Sequence, residues 1–152
     1  MNLDQYPIVS DSSNLTYKFD SIGPNGIIRK VVSYRRINSL SKNYYNLSFG
    51  DWDKINGKVN DTIVSNNNDT KKILFTVGLT ALQFVNHFPT AEVFIEGSTI
   101  SRTRLYQMTI RQHFIEIDKL FDLRGLRNGK WEKFKPGINF EAFLLKKKFN
   151  NL

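Results

Sequence analysis

The feature that most limits what this chain can fold into is a change of hydrophobic period near residue 68. Before it, apolar side chains alternate; after it, they recur every three or four residues. Alternation suits a strand with one buried face, and the longer period suits a helix that buries one stripe. The expected class is therefore α+β: a sheet covered by helices.

The strand half reads in four pieces. Leu15 to Ile22 leads into Gly23-Pro24-Asn25-Gly26, where proline presets one turn angle and glycine or asparagine accepts positive φ. Ile27 to Ile37 follows, with Ile28, Val32 and Tyr34 on one side of the pleat. After a loop rich in serine and asparagine, Tyr44 to Asp51 turns Tyr45, Leu47 and Phe49 inward. Asn56-Gly57 signals a tight turn, and Val59 to Ser65 returns. The simplest layout is an antiparallel meander.

Past the switch, Asn68 or Asp69 is placed to cap a helix running from Lys71 to Phe88 and closed by Pro89. Its apolar residues occupy so many sides that it should lie buried on the sheet, with Gly78 allowing close backbone approach and His87 structural. Ala91 to Glu96 reads as a short strand. A second helix is expected from Ser101 to Phe121, burying Tyr106, Ile110, Phe114, Ile117 and Phe121. Arg104, Gln107 and Arg111 then form a polar stripe away from the core. The chain closes with Leu123 to Arg127, a turn at Asn128-Gly129, Lys130 to Lys135, and Ile138 to Lys148.

The expected architecture is an antiparallel sheet of about six or seven strands packed against two helices, in the order ββββ-α-β-α-ββ. Residues 15–148 would form a single domain behind a polar N-terminal arm, residues 1–14. A chain of 152 residues can bury roughly 70% of its extended surface. With no cysteine it has no disulfide framework, thiolate metal site or cysteine nucleophile. No run reaches the ~20 apolar residues that span a bilayer, so no membrane partner and a cytoplasmic location are expected. The residues call for no cofactor and no metal.

Charge separates the chain's two ends. Residues 1–101 hold ten Lys/Arg and nine Asp/Glu, whereas residues 102–152 hold twelve and five. A basic last third points to a polyanionic partner, and it also suits a surface kept soluble by lysine.

Three places are candidates for chemistry. Gly97-Ser98-Thr99-Ile100-Ser101-Arg102-Thr103-Arg104-Leu105-Tyr106 leads from a strand end into a helix start, where free N–H groups carry partial positive charge. Ser98, Thr99, Ser101, Arg102 and Arg104, with Arg111 further along, can form an anion cradle; ordinary capping and ion pairing explain the same residues. Arg124, Arg127, Lys130, Trp131 and Lys133 mix cations with a flat ring, as single-stranded nucleic acid requires. Trp131 and Phe134 equally suit the anchoring of a hairpin. Asp51 and Asp53 can hold a divalent ion, yet aspartate is common where strands enter turns. His113 lies off the apolar stripe, where a phosphodiesterase could pair it with Arg104, Arg111 or Tyr106.

Several segments resemble an uncharacterised family of small bacterial proteins, mainly of Bacteroidota, that carry a domain of unknown function. They are Ser21-Ile22-Gly23-Pro24-Asn25-Gly26, Asn46-Leu47-Ser48-Phe49-Gly50-Asp51, the Gly97 to Tyr106 motif, and Phe140-Glu141-Ala142-Phe143-Leu144. The resemblance covers most of residues 17–148 and implies no activity and no catalytic residue. The element order of the first half also resembles the Whirly-type single-stranded-DNA-binding layout. The leading expectation is a non-catalytic nucleic-acid- or polyanion-binding protein. Its alternatives are a small ribonuclease of toxin–antitoxin type and a module for an acidic protein partner. An exposed sheet edge would in addition allow a homodimer.

Overall fold

The computed structural model describes residues 5–38, 43–60 and 66–149. Thr16–Gly23 (β2) and Gly26–Ile37 (β3) form the expected hairpin, with Gly23 opposite Gly26 across Pro24-Asn25. Gly26 takes φ +86°, the left-handed geometry that closes the turn. Gly23 is required for a different reason: a Cβ there would overlap the backbone carbonyl of Asn67. Tyr44–Asp53 (β4) pairs antiparallel with β3, and Lys58–Asn60 (β5) pairs with the far end of β4. The meander is as expected up to Asn60; the remainder of the strand expected to reach Ser65 lies outside the described residues.

The stretch expected as a polar arm contributes to both sheet and core. Val9–Ser10 (β1) pairs with β2, and Tyr6 is buried against the helix Thr70–His87 (α1), its N–H donating to Thr76 Oγ1 at 3.1 Å. Asp69 precedes α1 but does not cap it. Its carboxylate instead accepts from the Tyr6 and Ser21 hydroxyls, so the first loop, β2 and α1 are clasped together. Buried Asn67 completes the clasp, donating to Ser21 Oγ and the Gly26 carbonyl and accepting from the Asn25 N–H.

The later elements are Glu92–Ile95 (β6), Ile100–Gln112 (α2), Phe114–Leu120 (α3), Phe121–Arg127 (β7), Lys130–Lys133 (β8) and Ala142–Lys147 (β9). The described residues thus form nine strands and three helices rather than six or seven strands and two helices. Three strands close the chain, not two. The helix expected to run unbroken to Phe121 stops at His113, whose φ −112°, ψ 21° is not helical, and Phe121 opens a strand. Its apolar stripe survives the break, since Phe114 and Ile117 still pack on the core.

The sheet order is β1-β2-β3-β4-β6-β9-β7-β8, with β5 beside β4. The sheet is mostly antiparallel; β4 and β6 are the parallel exception, and the crossover between them carries α1. All three helices lie on one side. There Phe84 stacks on Tyr34, ring centroids 4.2 Å apart, and meets Tyr45 edge-on. The Tyr34 hydroxyl reaches Thr80 Oγ1 at 2.7 Å. Val32, Leu47, Val93, Phe143 and Leu145 complete this core; of the inward set expected for β3 and β4, Val32, Tyr34, Tyr45 and Leu47 are buried in it and Phe49 packs against it, whereas Ile28 is not part of it. Gly78 does not permit close approach; a Cβ there would enter open space. Among the described residues no helix is long and apolar enough to cross a membrane.

Candidate nucleic-acid interface

Alternation leaves every second residue of each strand on the side without helices. Across six strands the register aligns Arg35, Asn46, Phe94, Leu144, Arg124 and Lys133 in one row on that open face. Trp131 stands beside the row, opposite Leu126, and its ring meets Phe94 edge-to-face at 6.0 Å. The neighbouring row brings Tyr44, Glu92, Lys146 and Asp122 together, so the Lys146 charge is offset by two carboxylates. The Arg124–Lys133 pair has no such balance. Two exposed cations directly opposite each other on adjacent strands repel, and neither joins an ion pair among the described residues.

A cleft of about 170 Å³ opens at the edge of this face. Along the edge away from β3, β4 pairs with β6 through Tyr44–Asn46 and further on with β5 through Asp51–Asp53, a fork between two partners; residues 61–65, which follow β5, lie outside the described residues. Asn46, Ser48, Phe94 and Glu96 line the cleft from the open side, and Phe49, Ser98, Arg102 and Tyr106 from the helical side. It lies beyond the carboxyl end of β6 and beside the middle of β4, with the N-terminus of α2 behind it.

The turn into α2 is tightly built. A Cβ on Gly97 would lie 2.5 Å from the Thr103 amide nitrogen, so only glycine brings the chain this close. Thr99 caps the helix, accepting from the Arg102 N–H at 3.2 Å, while the Thr103 hydroxyl accepts from the Gly97 N–H at 3.0 Å. Two of the segments carrying the family resemblance, Asn46–Asp51 and Gly97–Tyr106, thereby meet at one cleft. A model of the family of unknown function DUF6934 matches residues 2–148. The chain belongs to that family. No curated protein and no solved structure matches it.

Within this DUF6934 fold the predicted site residues divide. Ser98 and Arg102 line the cleft, Thr99 serves as the cap, and Ser101 is exposed at the helix start. Arg104 donates to the Phe140 carbonyl at 3.5 Å, and Arg111 is exposed in the last turn of α2. Arg124, Trp131 and Lys133 share the open face. Arg127 and Lys130 flank the β7–β8 turn, Arg127 pairing with Glu132 at 3.1 Å. The cations of α2 therefore lie on the helical side of the sheet and the Arg124–Lys133 pair on the open side; of these only Arg102 lines the cleft. Gln107 is not on an outward stripe: buried, it donates to the Ile138 carbonyl and accepts from the Phe140 N–H at 2.8 Å.

The two aspartates serve structure. Asp53 accepts from the Ile55 and Asn56 N–H groups and the Asn56 amide, which hold its carboxyl below the usual range. Asp51 accepts from Lys30, and this ion pair is buried on the helical side between β3 and β4. His113 is half-buried and, with Tyr106, lines an apolar groove of about 180 Å³ between the helices. Two residues escaped sequence reasoning. Glu96 reads as an ordinary strand end, and Phe94 as one more apolar residue, because their role depends on the non-local fork.

Proposed function

We propose that this protein binds single-stranded nucleic acid on its open sheet face. One observation carries the reading: Arg124 and Lys133 face each other across β7 and β8 with no acidic partner among the described residues, beside the exposed Trp131 ring. Mutual repulsion at that position is relieved by a shared phosphate, and guanidinium and ammonium both suit one. The Trp131–Phe94 pair offers aromatic surface for stacking bases, and exposed Arg35 extends the positive charge along the sheet. Binding is favoured over phosphodiester cleavage because His113, the residue such chemistry would need, lines the groove on the other side.

Titration of a labelled single strand across a salt series tests this. Three phosphate contacts should give a slope of log affinity against log salt of about −2, at ~0.7 per contact. The double variant Arg124→Ala, Lys133→Ala should flatten it by ~1.4. An unchanged slope clears both residues.

A further inference from the structure

The outer side of α2 and α3 carries a pattern that neither the core nor the open sheet uses. Ser101, Leu105, Met108, Gln112, Ile115 and Lys119 are spaced four, three, four, three and four, and all six are exposed. That spacing is the repeat of a seam between paired helices, here with apolar residues in its middle and polar ones at its ends. Leu105 is 40% exposed, Met108 46% and Ile115 75%. Apolar residues exposed singly need no explanation, whereas three aligned on one stripe ask for a partner. The bend at His113 does not divide the stripe. The His113 N–H donates to the Thr109 carbonyl at 3.2 Å and the Ile117 N–H to the His113 carbonyl at 2.9 Å, so the winding runs through. Together α2 and α3 offer a seam about 30 Å long.

Charge along the seam is ordered. Arg104, Arg111 and Asp118 follow one flank in seven-residue steps, and α2 holds no acid whereas α3 holds Glu116 and Asp118. An antiparallel partner fits this order if it, too, is basic first and acidic after. A uniformly acidic helix would meet Glu116 and Asp118 at the α3 end. A second copy of this chain has the right order. Two-fold symmetry brings level those residues whose numbers sum to a constant. With the axis beside residues 110 and 111, Leu105 packs on Ile115 of the second copy and Met108 on its Gln112, each twice. On the flank Arg104 meets Asp118 of the second copy, again twice. Arg104 is exposed, its contact to the Phe140 carbonyl long at 3.5 Å, and half-exposed Asp118 has only Lys148, at 3.8 Å, beside it among the described ion pairs. One meeting is unfavourable, that of Arg111 with its own copy near the axis. Parallel pairing would be worse, setting arginine against arginine along all of α2.

We infer that the protein pairs with a second copy of itself through the outer faces of α2 and α3, running antiparallel. The open sheet faces then point outward, so the inference stands whether or not they bind a strand.

Sedimentation equilibrium of the whole chain, free of nucleic acid, tests it. The mass should rise towards twice that of the chain with a micromolar midpoint, as a small interface gives. Met108→Arg puts a charge at the centre of the seam and should leave only monomer. Its unfolding midpoint, compared with that of the parent in dilute solution, should be unchanged and so report an intact fold. Arg104→Glu alone and Asp118→Arg alone each set like charges together twice, and should weaken pairing on the order of a hundredfold. Mixed in equal amounts, these two variants should pair with each other, because every flank contact is again acid against base. Arg111→Gln should tighten the dimer. A chain that stays monomeric at high micromolar concentration overturns the inference. So does a dimer that Met108→Arg leaves intact, or a mixture of the two charge variants that stays apart.

Discussion

The two faces of this sheet are made by the same strands and spend their residues on opposite ends. On the helical side Tyr34, Tyr45 and Phe84 are buried and interlocked, and the Tyr34 hydroxyl is matched by Thr80. On the open side Trp131 and Phe94 touch edge-on with one ring still exposed, and Arg124 faces Lys133. Stability is gained by filling space and pairing polar groups. The open face forgoes both at its basic end. A surface that keeps an exposed indole beside two repelling cations holds a cost that a ligand can remove.

Substitutions should separate the faces sharply. Phe84→Ala removes a fully buried ring packed on Tyr34, Tyr45 and Phe88, and should cost about 3–5 kcal/mol in denaturant unfolding. A loss under ~1 kcal/mol would mean that the helical side is not the tight core described. Trp131→Ala should barely move the unfolding midpoint, yet weaken single-strand binding about tenfold, the share of one stacked base. The reverse result, lost stability with intact binding, would make Trp131 an anchor.

Proton uptake gives a smaller contrast. Burial, helped by the Asp11 charge, pushes the Tyr17 phenol up to about 12, and burial also raises Tyr34. The folded state then holds the Tyr17 proton more firmly than the unfolded chain, whose phenols titrate near 10. Its contribution is complete below pH 10 and is lost as pH climbs towards 12. An ultraviolet phenolate titration should show these two rings ionising after the rest, with unfolding close behind. Simultaneous ionisation of all six tyrosines in a folded protein would contradict their burial.

Much of the covered side was legible in the sequence because it is local. Alternation in β3 and β4 fixes which side chains turn inward, and Asn128-Gly129 adopts the positive φ values of a two-residue turn. That turn sets Arg127 against Lys130 and so Lys133 against Arg124, three residue pairs further on. The basic pair was therefore readable in principle. The fork was not. It depends on β4 pairing in parallel with β6, across a helix and more than forty residues, and nothing in either segment specifies that partner. Gln107 misled for a related reason: an amide looks solvent-facing until a distant loop supplies the Ile138 carbonyl and Phe140 N–H that satisfy it. The break at His113 was hidden because the apolar stripe continues through it.

The division of labour between the faces can be read directly by nuclear magnetic resonance of the labelled protein during titration with a single strand. Shifts should gather on the Trp131 indole N–H and the amides of Asn46, Phe94, Arg124 and Lys133, while Val77, Ala81 and Phe84 in α1 stay still. Perturbation centred on α1, or none on the open face at saturating strand, would contradict the account.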